Sequence, residues 1–176
     1  MADAITGIVR VIHIVTSVAW VGGALLWGNI IAPRVLQRGP PQIRRPFAEA
    51  VIPAMTRYYM IVASLAILSG LVLVGQIWGW GNYGQAFQEP TGGYGLWLGI
   101  GAVSAIVMAI IGFGIIAPTG KKLVAFMGTM NGPPTPEQQA QLGAMGKKLG
   151  IMGMLVMLFG TVAAVGMAMA VNVFRG

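Results

Sequence analysis

One histidine occurs in the chain of 176 residues. It stands in "RVIHIVTSVAWVGGALLWGNIIAP", an apolar stretch that begins at Arg10. At three- and four-residue steps Arg10, His13, Ser17, Trp20 and Ala24 share one helical face. Arg10 belongs near a membrane interface, and His13 lies about 4–5 Å deeper at the helical rise per residue. An ionisable side chain in a spanning helix is costly, so by default it faces the bundle interior and serves a function. Two readings stay open. His13 can be an axial imidazole ligand to haem b, with Arg10 pairing a propionate at the water boundary. It can instead be a neutral imidazole hydrogen-bonded across a helix pair, with Arg10 snorkelling to headgroups.

A single histidine restricts the chemistry. A bis-histidine haem inside one chain is excluded, which leaves a five-coordinate haem, a His–Met haem, or a site completed by His13 of a second subunit or by another protein. Zinc and non-haem iron sites need several N/O ligands, more than this chain supplies alone. The absence of cysteine excludes disulfides, iron–sulfur clusters and thiolate sites.

Other groups are weaker candidates. Methionine is abundant, with 12 in the chain, and Met152, Met154, Met157, Met167 and Met169 fall in the last apolar run. Thioethers suit copper(I), so copper transport through His13 and methionines is an alternative. Their mixed spacings form no single stripe, as expected of adaptable apolar filler. Arg57, followed by Tyr58 and Tyr59, can bind a lipid phosphate or an anionic substrate, or can simply set topology. Asp3, Glu49, Glu89 and Glu137 all lie outside the apolar runs, so no proton relay through the bilayer is expected. No nucleophilic triad, phosphate loop or nucleotide fingerprint is present.

The elements that must position these groups follow from composition. The chain is 56% hydrophobic and only 9% charged, against about a quarter charged in a soluble domain. Formal charge is missing from four stretches if His13 is neutral: Arg10 to Arg34, Arg57 to Glu89, Glu89 to Lys121, and Lys148 to Arg175. Each is longer than the ~20 residues that cross a hydrocarbon core. Lipid offers no partner to unpaired backbone groups, so each crossing is helical. The expectation is an all-α integral membrane protein, a four-transmembrane-helix bundle forming a single domain over 1–176, with helices near 8–32, 55–79, 95–118 and 148–172.

The net charge of +7 is distributed as a topology signal, not as a nucleic-acid footprint. Arg34, Arg38, Arg44, Arg45, Arg57, Lys121, Lys122, Lys147 and Lys148 all fall in the connectors after the first and third helices. The positive-inside rule makes those connectors cytoplasmic, and both termini and the link "GWGNYGQAFQEPTGGYG" then lie on the outer side. The expected location is the inner (plasma) membrane, multi-pass, with no cleavable signal peptide. The lipid bilayer is the first partner, with a homo-oligomer or a larger membrane complex beside it.

A duplication is also legible. "NIIAPRV" and "GIIAPTG" end the first and third helices, and each is followed by a basic connector containing "GPP". Pro33 and Pro118 suit helix exits at the interface, and the halves would be parallel repeats of a two-helix hairpin. Leu98 stands opposite His13 in the second half, so the chemistry is not repeated. Thr135, Pro136 and Gln138 predict a capped helical lead into the last helix, and "RRPFAEAVIPAMTRYY" predicts an interfacial amphipathic lead into the second. Ala19/Gly23, Ala66/Gly70, Gly95/Gly99, Gly146/Gly150 and Ala164/Ala168 have the spacing that lets helices approach closely in lipid.

The pattern "R-x-x-H-x6-W-x-G-G", running into "P-R", resembles the first helix of a set of small membrane families. These are the copper-resistance D-like proteins, the HemJ-type protoporphyrinogen oxidases and the membrane part of the PuuD-type urate oxidases. "TRYYMIVASLAILSGLVLV" is similar to their second element, a basic residue followed later by a small-Gly-Leu step. The resemblance covers about the first 75 residues. It implies haem or porphyrin handling, or copper passage, with His13 as the metal ligand and Arg10, Trp20, Gly22 and Arg57 lining or supporting the site. The chain departs from the HemJ-type pattern in having "IIAPRV" where a tyrosine–histidine cluster stands, and an uncharged third helix. It lacks the eight helices and cytochrome c domain of the PuuD type. The leading expectation is therefore a b-type haem-binding redox or electron-transfer protein. The alternatives are an accessory subunit of a larger membrane complex, a copper transporter and a HemJ-like oxidase.

Overall fold

A computed structural model of the chain describes residues 2–88, 93–130, 132 and 134–175, so Glu89 lies outside the described residues. Among the described residues there are six α-helices: α1 (Ala2–Leu26), α2 (Pro41–Trp78), α3 (Tyr83–Gln88), α4 (Tyr94–Ile111), α5 (Ala117–Gly128) and α6 (Pro136–Arg175). Wide π-helical turns fill Trp27–Gln37 and Gly112–Ile116, so α1 and α4 run on without a break. Four spans are long and apolar enough to cross a membrane, Ala4–Leu36, Gln42–Trp78, Tyr94–Gly128 and Pro136–Ala170. The all-α, four-span membrane architecture expected from the charge-free runs is what the chain adopts.

The spans are longer than expected, and the prolines explain the difference. Pro33 and Pro118 do not end their helices. Proline lacks an N–H and crowds the carbonyl four residues back, and a locally widened turn absorbs both defects. Arg38 N–H bonds to Pro33 O at 3.1 Å, and the N–H of Ala117 reaches Gly112 O; each bond spans five residues. Pro118 then sits in the first turn of α5, where its missing N–H costs little. Both copies of the "IIAP" repeat thus mark a wide turn at the same point of each hairpin. The lead into the fourth span continues into it as expected, as the first turns of α6, and the lead into the second is likewise continuous with α2. Thr135 and Gln138 cap α6 as expected, with Gln138 N–H on Thr135 Oγ1 at 3.3 Å and Thr135 N–H on Gln138 Oε1 at 2.9 Å.

A helix of 38 residues such as α2 is about 57 Å long, well beyond a ~30 Å hydrocarbon core. The surplus lies at the end carrying the basic connectors. There Ala48, Ile52 and Leu123 are buried with Trp27, Leu36 and Met145 packed round them, and Trp27 stacks on Phe47 at 6.3 Å. Arg45 ties α2 to the end of the third span through Met130 O at 2.6 Å, and pairs with Glu49 at 2.8 Å.

The middle of the bundle is closed by Trp20, Ala63, Ala66, Met108, Ala109, Ile111 and Val156. A close crossing joins α4 to α6. A methyl added at Gly166 would meet Gly101 N at 2.8 Å and Trp97 O at 2.9 Å, so only glycine permits this approach. Gly146 and Gly150, by contrast, face open space. The first span is the least enclosed, with 11% of its most apolar window buried against 33% for the second.

Candidate functional site

His13 is held by the second span. Its Nδ1 lies 2.8 Å from Ala66 O, and a carbonyl only accepts, so Nδ1 carries the proton and donates. Ser69 Oγ stands 3.3 Å from the same nitrogen and itself donates to Leu65 O at 2.5 Å. The ring lies over Gly70, where an added methyl would come within 2.9 Å of Cε1. A neutral imidazole protonated at Nδ1 keeps its lone pair on Nε2. Nε2 has no hydrogen-bond partner among the described residues, and the side chain is half-buried.

This is the donor arrangement of a metal-ligating histidine, in which a backbone carbonyl fixes the tautomer and raises the basicity of the free nitrogen. The residues present therefore fit one axial position of a haem. The same bond also satisfies a structural histidine, since it relieves a donor that lipid would leave unpaired.

The other residues singled out from sequence divide into two groups. Arg10 stands one turn from His13 on the same face, exposed and without a hydrogen bond or ion pair among the described residues. Trp20 is buried in the central cluster, on the same face as His13. Gly22 is exposed and a methyl there would meet nothing within 4 Å, so it lies away from the imidazole. Arg57 is exposed too. Its neighbours Tyr58 and Tyr59 pack on Gly23, which places Arg57 about 15 Å along the bundle from His13. The structure thus brings Arg10 and Trp20 into register with His13 and sets Gly22 and Arg57 apart. Ser69 and Gly70, which do touch the imidazole, carry only the weak sequence signal of a small-Gly-Leu step.

Met157, Met108 and Met167 are engaged in packing, while Met154 and Met169 are exposed. Met157 Sδ would lie 2.7 Å from a methyl on Gly28 and accepts from Asn29 Nδ2 at 3.2 Å. Met108 fills the space at Gly160, and Met167 that at Gly101. Among the described residues no group of three or more His, Cys, Asp or Glu side chains comes together. A cleft of about 530 Å³ lies along Gly95, Gly99 and Val103 of α4. A second, of about 370 Å³, lies between Thr6, Gln76 and Trp80 at the termini end. His13 lines neither. Tyr59 Oη, Gln76 Oε1 and Trp78 Nε1 are enclosed without a hydrogen-bond partner among the described residues.

Comparison with protein-family models, curated proteins and solved structures finds no match to this chain.

Proposed function

We propose that the chain is a multi-pass membrane protein that binds a b-type haem through His13 and passes electrons near the outer face of an inner (plasma) membrane. The observation that carries this reading is the imidazole itself. Its Nδ1 proton is committed to Ala66 O at 2.8 Å, while Nε2 has no hydrogen-bond partner among the described residues. Bound haem supplies one-electron exchange. The chain's part is to hold the ring in one tautomer, to present a guanidinium at Arg10 for a propionate, and to close the apolar floor with Trp20. The basic connectors support an orientation with the termini outside.

The test is the haem b content of protein purified from membranes, measured as its pyridine complex, for the native chain and His13→Ala. Haem in the native chain that is lost in the variant supports ligation. Equal content, or none in either, contradicts it.

A second reading has its own support. The first span is the least enclosed of the four, which suits an accessory subunit that packs α1 against a larger membrane complex, with His13 as a helix-to-helix hydrogen bonder.

A further inference from the structure

We propose that the haem lies in a wedge between the termini-end halves of α1 and α6, with Ala164 and Ala168 forming the wall that faces His13. The inference rests on the haem reading above and adds where in the fold the macrocycle sits.

The contacts of α1 establish its orientation. Towards the basic end the first span touches α6 through Val21 of α1, which a methyl on Gly160 would meet at 3.5 Å, and through Gly28 of the wide turn after it, which lies against Met157. On the other side of α1, Gly23 packs on Tyr59 and Tyr58 donates to Ala19 O, so α2 covers that side. Stepping back from Val21 by turns of three and four residues gives Ser17, Ile14 and Arg10, the line of α1 aimed at α6. Stepping forward from Gly160 gives Ala164 and Ala168, the line of α6 aimed at α1.

These two lines do not cover each other. Ile14 is 53% exposed, and Arg10, Ala164 and Ala168 are exposed as well. Past the contact of Val21 with Gly160, these two lines are left largely bare towards the termini. Trp20 and Met108, 7% and 1% exposed, close the narrow end of the gap. His13 lies on α1 between the side covered by α2 and the side left bare. With Nδ1 bound to Ala66 on α2, its unpartnered Nε2 is left for the bare side. A flat apolar macrocycle entering there would meet an imidazole nitrogen, two methyl groups opposite it and a guanidinium at the mouth. That set matches its metal, its faces and its carboxylates in turn.

The test is titration of the full-length, detergent-purified chain with hemin, read by the Soret band, with intact size and helicity checked for each variant. Ala164→Phe and Ala168→Phe put a ring into the wedge, while Val165→Phe adds the same ring to the lipid-facing side of α6. The expected result is saturation at one haem per chain in the native protein and in Val165→Phe, with loss of the band in both wedge variants. Native-like binding by both wedge variants, or saturation at one haem per two chains, would overturn the wedge while leaving haem ligation by His13 standing. No binding by the native chain would remove the haem reading itself and the wedge with it.

Discussion

Gly70 and His13 are a matched pair: a methyl group on Gly70 would stand 2.9 Å from Cε1 of the imidazole and 3.3 Å from Nδ1. The ring rests on bare backbone of α2, and it is this contact that lets Nδ1 reach Ala66 O at 2.8 Å.

Gly70→Ala is accordingly a larger lesion than its single methyl suggests. The added group must push the imidazole off its carbonyl, an overpacking cost of about 1–3 kcal/mol. Gly22→Ala adds the same methyl into open space and should stay within about 0.5 kcal/mol. Thermal unfolding of the two variants in one detergent measures the contrast, and equal midpoints would sink this account of the seam.

Met108 tests whether sulfur or volume matters. The side chain is 1% exposed and fills the space left by Gly160. Met108→Ala should cost about 2–5 kcal/mol through the cavity it leaves. Met108→Leu should cost less than about 1.5 kcal/mol and leave bound copper, assayed by elemental analysis, at the native level. A Leu variant that is stable but depleted of copper would favour a thioether path instead.

At the start of α6 the reciprocal Thr135–Gln138 pair satisfies two backbone donors. Thr135→Ala should destabilise that end by about 0.5–2 kcal/mol. Faster amide hydrogen exchange in the first turn of α6, with exchange round Trp20 unchanged, is the expected signature. Uniform acceleration would mean that the cap governs the whole bundle.

Zero native cysteines allow orientation to be read directly. Asn82 and Gly143 are exposed at opposite ends of the bundle. With the basic end cytoplasmic, a membrane-impermeant maleimide should label Asn82→Cys in intact cells and Gly143→Cys only after permeabilisation. The reverse pattern would invert the topology.

The four spans were legible because charge is strongly excluded from lipid, so the charge-free runs from Arg10 to Arg34, Arg57 to Glu89, Glu89 to Lys121 and Lys148 to Arg175 mark them. Their ends were less so. Pro33 and Pro118 read as stops, and only the backbone shows that a five-residue turn carries the helix past each one. His13 was conspicuous as the one imidazole inside a span. Its partner was not, because Ala66 contributes a carbonyl oxygen, and every residue has one. Gly101 and Gly166 likewise form a tight crossing without differing in sequence from the chain's many other glycines.

The most direct test of the account is a dithionite-reduced minus oxidised visible spectrum of gently solubilised membranes containing the native chain, beside His13→Ala at matched protein yield. The account predicts Soret and α-bands of a b-type haem in the native sample and their loss in the variant. A featureless native spectrum, or bands unchanged by removing the imidazole, would contradict it.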